Sequence, residues 1–386
     1  MDFTTSTSRR RFLKRSAGLV AAAPFLNLNA YSLSPYSNRT YSREVLDIVK
    51  ESLVIDMLGL LDMTKFFMGT ATGKDPFAFS EEELLAIKKS GINVFHHAVG
   101  LGGKDVKENV LTYLGALNGL AAQYPDHVLR IDSAEDFERV MAEKKIGVML
   151  GIQNSDHFEE VADVKTCYML GQRVSQLTYN TQNLIGSGST DRVDGGVSDF
   201  GESIIKAMNE TGMVVDVSHC GDQTTLDAFE ISDQPVLITH SNCRSLVGNH
   251  PRCKTDDAIK KMAKQGGVMG ITAVRNFVKA NEPTTLDHYI DHIQHVVKLT
   301  SLDHVGIGTD ADLNGYDDLP GPIYKSLKAG YKSSYGFREK IDIEGMDHPQ
   351  KMYDLCEGLL KRGYNADNIK QIFGTNFKRV LSDIWI

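Results

Sequence analysis

The chain has 386 residues, of which 41% are hydrophobic and 24% charged, an ordinary globular composition that excludes a disordered or fibrous polymer. Lys and Arg total 42 against 50 Asp and Glu, a net charge of −8. With no basic run beyond the N-terminus, nucleic acid is not an expected partner.

The first segment reads as an export leader over residues 1–40. Ser8-Arg9-Arg10-Arg11-Phe12-Leu13-Lys14 carries paired arginines, and a weakly apolar stretch over 17–28 follows, with a small-residue cleavage point after Ala30. Paired arginines in this setting point to the twin-arginine (Tat) export machinery as a partner, hence to a periplasmic or extracellular protein, anchored if the leader is kept. Pro24 and Asn27 break the apolar stretch, which is too short to span a bilayer as a settled helix.

Residues 41–386 read as a single domain. Short β-branched runs are predicted as strands at 53–57, 92–95, 147–152, 174–177, 213–217, 236–239, 267–271 and 304–308. Between them, 81–90, 136–144, 199–211, 223–231 and 256–265 show apolar residues at helical spacing, several behind an Asp, Ser or Thr cap. Eight strand–helix units imply an α/β fold closed into a (β/α)₈ TIM-like barrel. No Gly-rich dinucleotide fingerprint follows the first strand to support an open doubly wound sheet. The segment 313–347 reads as a long connection, expected to line the active face. Two helices, over 352–362 and 366–373, are expected before the C-terminus. Five cysteines, at 167, 220, 243, 253 and 356, show no CxxC spacing and read as small buried residues.

Polar residues gather where strands end. Strand five runs into Ser218-His219, strand six into Thr239-His240-Ser241-Asn242, and strand eight into Thr309-Asp310. In a parallel barrel these ends share one face, so His219, His240 and Asp310 are expected to converge. Two imidazoles and a carboxylate are a zinc-type ligand set that leaves a position for water. His288, His292 and His295 sit at helical spacing and are expected on a solvated face, while His96-His97 ends strand two without a clear role.

The segments 212–219, 238–242, His250-Pro251-Arg252 and 308–315 resemble the membrane (renal-type) dipeptidases. So do Leu177-Thr178-Tyr179-Asn180, 195–210 and Gly374-Thr375-Asn376, and the likeness covers roughly 45–386. It implies an amidohydrolase-like barrel with two zinc ions that cleaves dipeptides. It places second-site metal ligands on His219 and His240, and the ligand and proton acceptor for the attacking water on Asp310. The arginine that grips the substrate's free carboxylate falls on Arg252, and a group that steadies the substrate carbonyl falls on Tyr179, where the family has histidine.

The chain also departs from that pattern. Where the family has a His-x-Asp pair after strand one, this chain has Leu58 and Leu60, which cannot coordinate zinc. The bridging glutamate after strand three is replaced by Gln153, a neutral amide that brings no charge to offset two dications. The expectation is therefore one metal, Zn²⁺ by type, on His219, His240, Asp310 and Gln153, with Asp56, Asp62, Asp156 and His157 as candidates to repair the lost site. The expected function is metal-dependent hydrolysis of a dipeptide or other small amide with a free carboxylate, in a chain able to form a homodimer. A non-catalytic binding protein, or epimerase, lyase or esterase chemistry in the same pocket, stands as the alternative.

Overall fold

The computed structural model describes residues 30–32, 39–72 and 75–385; the paired arginines and the apolar stretch of the leader lie outside them. The described residues up to Asp47 belong to one unit, in which Ala30–Ser32 pairs antiparallel with Thr40–Ser42. The second unit, Ile48–Ile386, carries everything that follows.

Eight parallel strands build that unit: β1 Ile55–Asp56, β2 Val94–Val99, β3 Ile146–Ile152, β4 Gln172–Gln176, β5 Val214–Asp216, β6 Ile238–Ser241, β7 Met269–Ile271 and β8 Val305–Ile307. They are hydrogen-bonded in the order β5-β4-β3-β2-β1-β8-β7-β6. A parallel bridge between Asp216 and Leu237 joins the two ends and closes the ring. The fold is thus the predicted (β/α)₈ barrel, and each predicted strand falls on one of the eight. Strands covered on both faces read as continuous apolar runs, which is why they stood out. One extra strand, Val128–Arg130, pairs with the first half of β3 and was not foreseen.

The helices follow from their caps. Asp199–Thr211 starts where the Ser198 side chain accepts from Gly201 N, and Asp256–Lys264 where Thr255 accepts from Ala258 N. Each buries one apolar stripe, Ile204, Ile205 and Met208 in the first and Ile259 and Met262 in the second.

The amino end of the barrel is plugged by apolar packing. Val94, Met149, Val174, Val214, Leu237 and Val268 meet Phe377, Leu381 and Ile384 of the last helix, Asn376–Ile384. Gly306 of β8 admits this helix, since a Cβ there would stand 2.3 Å from the Phe377 ring. The carboxyl ends are therefore left to carry the site. The long connection after β8 folds over them and contains a helix, Gly321–Ala329, that the sequence did not announce. No helix among the described residues is long and apolar enough to cross a membrane.

Candidate active site

Two buried aspartates knit the barrel seams beside the site. Asp216, at the end of β5, accepts from Ser218 N at 3.0 Å, Ser218 Oγ at 2.6 Å, Thr239 N at 3.0 Å and Thr239 Oγ1 at 2.7 Å. Asp56, at the end of β1, accepts from Thr309 N at 2.8 Å and Thr309 Oγ1 at 2.5 Å. The first aspartate locks β5 to β6, and the second locks β1 to β8.

The β5–β6 seam brings His219 and His240 together, with their Nε2 atoms 2.9 Å apart and both side chains buried. The partners of the other ring nitrogens assign the tautomers. His219 Nδ1 lies 2.8 Å from Asn180 Oδ1, which can only accept, so it donates. His240 Nδ1 lies 2.8 Å from Thr239 Oγ1, whose single proton goes to Asp216, so it donates as well. Two Nε2 lone pairs therefore face one another across the gap. Burial first, and then the charge of Arg252, push both imidazoles well below their ordinary pKa. A shared proton is a poor occupant of such a gap, and a metal cation is a good one.

Arg252 is fully buried and braces this pair from behind. Its Nη1 donates to Ser218 O and its Nη2 to His240 O at 2.8 Å, while Nε has no hydrogen-bond partner. The guanidinium fork thus ties together the two strand ends that carry the histidines.

In front of the pair lies a cavity of about 690 Å³ at the carboxyl end of the barrel, within the usual size range of ligand sites. Its wall includes Tyr179, Gln153, Asp310, Leu58 and Leu60; His219, His240 and Arg252 are not part of it. The Tyr179 ring lines the cavity and stacks on His219 at 4.3 Å between centroids, while its hydroxyl hydrogen-bonds Tyr331 Oη at 2.7 Å. Gln153 donates through Nε2 to Ala98 O at 2.9 Å, leaving a buried Oε1 without a partner. Asp310 accepts from Tyr316 Oη at 3.2 Å, and burial raises its carboxyl to about 7 against the opposing pull of Arg252.

Among the described residues no group of three or more His, Cys, Asp and Glu side chains is gathered closely enough to hold a metal ion. The two histidines meet as expected, and Asp310 does not complete a three-ligand set with them. The candidates for repair are committed elsewhere. Asp56 serves the Thr309 seam, Asp62 Oδ1 caps Lys65 N, Asp156 Oδ2 accepts from Asn154, and His157 bonds Asn154 O and Gln172.

His292 corrects the expectation of a solvated face. It is buried, with Nε2 2.8 Å from Val278 O and Nδ1 accepting from Cys243 N at 3.1 Å. His288 and His295 are half-buried on the same helix. His96 and His97 are buried within β2, on Met57 O and Tyr113 Oη respectively. All five cysteines are buried, and none is in a disulfide. The structure adds Asn180, Thr239, Tyr316 and Tyr331 to the expected site. Asn180 lay within a quoted motif, yet nothing in the sequence gave its side chain a task.

The family model for membrane dipeptidases, peptidase family M19, matches residues 86–321, more than half of the chain. The dipeptidase verJ of Clonostachys rogersoniana is 31% identical over 271 residues, 69% of this chain and 63% of that protein. An uncharacterized dipeptidase of Schizosaccharomyces pombe is 29% identical over 285 residues, 71% of this chain and 62% of that one. The matched region thus spans less than two thirds of either relative's own length. A crystal structure of an amidohydrolase from Pseudomonas aeruginosa superposes with a TM-score of 0.76 at 29% identity, covering 89% of this chain and 99% of that one. By its barrel, its strand-end residues and these matches, the chain belongs to the membrane dipeptidase family, peptidase family M19.

Proposed function

We propose that the chain is an exported, metal-dependent hydrolase of a dipeptide or another small amide with a free carboxylate, working with a single metal, Zn²⁺ by its donors. The observation that carries this reading is the pair of facing Nε2 lone pairs on His219 and His240, each fixed by a committed Nδ1–H. These two imidazoles would hold the metal, and the unpartnered Gln153 Oε1 is a further neutral donor at the cavity wall. A metal of this kind supplies Lewis-acid polarisation of the carbonyl and acidifies water.

The remaining tasks belong to the chain's own groups. Asp310, a carboxylate in the cavity wall, accepts the proton of the attacking water and is steadied by Tyr316. Tyr179 orients the substrate carbonyl through its phenol. Arg252 holds the two strand ends in register, and its buried positive charge would favour a substrate carboxylate on the cavity side of the wall.

The leucines in the wall favour a second reading, a barrel that binds its ligand without turnover. One experiment separates the two. Purified protein is stripped, reloaded with Zn²⁺ and assayed on a dipeptide panel beside the His219→Ala/His240→Ala double variant. Stoichiometric metal with hydrolysis, both lost in the variant, supports the hydrolase. Dipeptide binding without metal or turnover, unchanged in the variant, supports the binding protein.

A further inference from the structure

We propose that the substrate carries a bulky apolar side chain next to its scissile bond, and that Leu58, Leu60 and the helix Met63–Thr72 after β1 form its specificity pocket. This rests on the hydrolase reading and names its substrate class.

The cavity wall is mixed. Leu58, Leu60, Met63, Phe66, Phe67 and Val99 give it a set of apolar side chains. Gln153, Tyr179, Asp310 and Tyr316 give it polar ones. Lys332 brings a cation to the rim, but its Nζ already donates to Thr190 O at 3.0 Å and sits 3.7 Å from Asp191. An apolar surface of this extent inside a cavity is stabilised by an apolar ligand group and penalises a charged one.

Backbone pairing places these leucines. Asp310 N donates to Leu58 O at 2.8 Å, Leu60 N donates to Ala311 O at 3.1 Å, and Gly59 bridges Ala311. Leu58 and Leu60 are therefore neighbours of Asp310 in the cavity wall. A group resting on them belongs to a residue that contributes to the bond being cleaved, not to a distant part of the ligand. At about 690 Å³ the cavity also has room for an aromatic side chain beside the reacting amide.

The test compares Gly-Gly, Phe-Gly, Gly-Phe and Asp-Gly on Zn²⁺-loaded full-length protein, by kcat/KM and by calorimetric binding. The better phenylalanyl dipeptide is expected to exceed Gly-Gly about tenfold or more, with Asp-Gly weakest. Its binding should also show the more negative heat-capacity change. Leu60→Asn and Phe67→Ser should each shrink the Phe-to-Gly ratio to about threefold or less, with the loss in KM. Melting curves identify a variant that fails to fold, and the other then decides. Equal use of Gly-Gly and the phenylalanyl dipeptides by wild type, or a ratio unchanged in a folded variant, overturns the specificity pocket while leaving the hydrolase intact. If no dipeptide is hydrolysed the hydrolase reading fails. Calorimetry then judges the pocket by itself, a preference for the phenylalanyl dipeptides supporting it and none refuting it.

Discussion

Asn180→Gly isolates the orientation of one imidazole. Asn180 has a φ of 64°, which glycine adopts without strain, so the substitution removes an acceptor with little backbone cost. That acceptor receives His219 Nδ1 at 2.8 Å and Ser189 Oγ at 3.2 Å. Without it, His219 either keeps a buried donor unpaired, at about 1–3 kcal/mol, or moves its proton to Nε2. The second outcome replaces the lone pair facing His240 with an N–H, which cannot bind metal. Loss of such an orienting partner weakens metal affinity about 10–100-fold, equivalent to about 1.4–2.7 kcal/mol at 1.36 per decade. Asn180→Asp keeps the acceptor and charges it, so it should hold Zn²⁺ as tightly as wild type or more tightly. Competition titration against a chelator measures all three proteins. A glycine variant within twofold of wild type, or an aspartate variant as weak as the glycine one, would refute the tautomer argument.

Three further predictions follow from the same seams. Gly151→Ala would set a Cβ 1.8 Å from His96 Nε2, and the ring cannot retreat without losing its 2.7 Å bond to Met57 O, so unfolding in urea should show a loss of about 3 kcal/mol; a loss under about 1 kcal/mol would mean the ring has room. Burial raises Asp56 from 3.8 to about 6, so the folded chain holds that proton more tightly than the unfolded one, and its contribution falls as pH rises from about 4 to about 6. That difference corresponds to about 3 kcal/mol, and metal-free wild type measured against Asp56→Asn should lose that much between pH 4 and 7, a flat difference contradicting the assignment. Arg252→Lys keeps the charge but cannot span both Ser218 O and His240 O, so Zn²⁺ affinity should drop about tenfold; a change confined to KM for substrates with a free carboxylate would instead place the guanidinium on substrate.

The barrel was legible because its information is local. Most strands are short apolar runs, several of the amphipathic segments between them begin at a cap residue, and eight such units admit few arrangements. Val128–Arg130 escaped because three residues ending in arginine carry no such signature. The last helix was cut short for a different reason. Gly374 looks like a stop, yet the chain passes through a π-helical turn at Gln371–Thr375 and continues to Ile384. Glycine is needed there because a Cβ would lie 2.1 Å from Leu53 O, a contact the sequence cannot display. His292 differs from expectation for the same kind of reason, since the carbonyl it bonds comes from Val278, at the end of the preceding short helix Arg275–Val278. Within the site, His219 and His240 could be read from their places after strands. Tyr331 could not, because its contact with Tyr179 spans 152 positions and depends on how the long connection folds back.

The two seams join support and side-chain chemistry differently. At β5–β6 the aspartate, the Thr239 hydroxyl and the His240 ring form one chain of hydrogen bonds, so the contact that joins these strands also fixes the orientation of an imidazole. At β1–β8 the same device, Asp56 with Thr309, joins the strands, but the side chains that follow it at 58 and 60 are leucines. Their backbone pairs with Asp310 and Ala311, so the position of Asp310 does not depend on what those two side chains are. Support and side-chain chemistry are joined in one seam and separable in the other. The separable seam is therefore where positions 58 and 60 can carry an apolar wall while the backbone at Asp310 keeps its place.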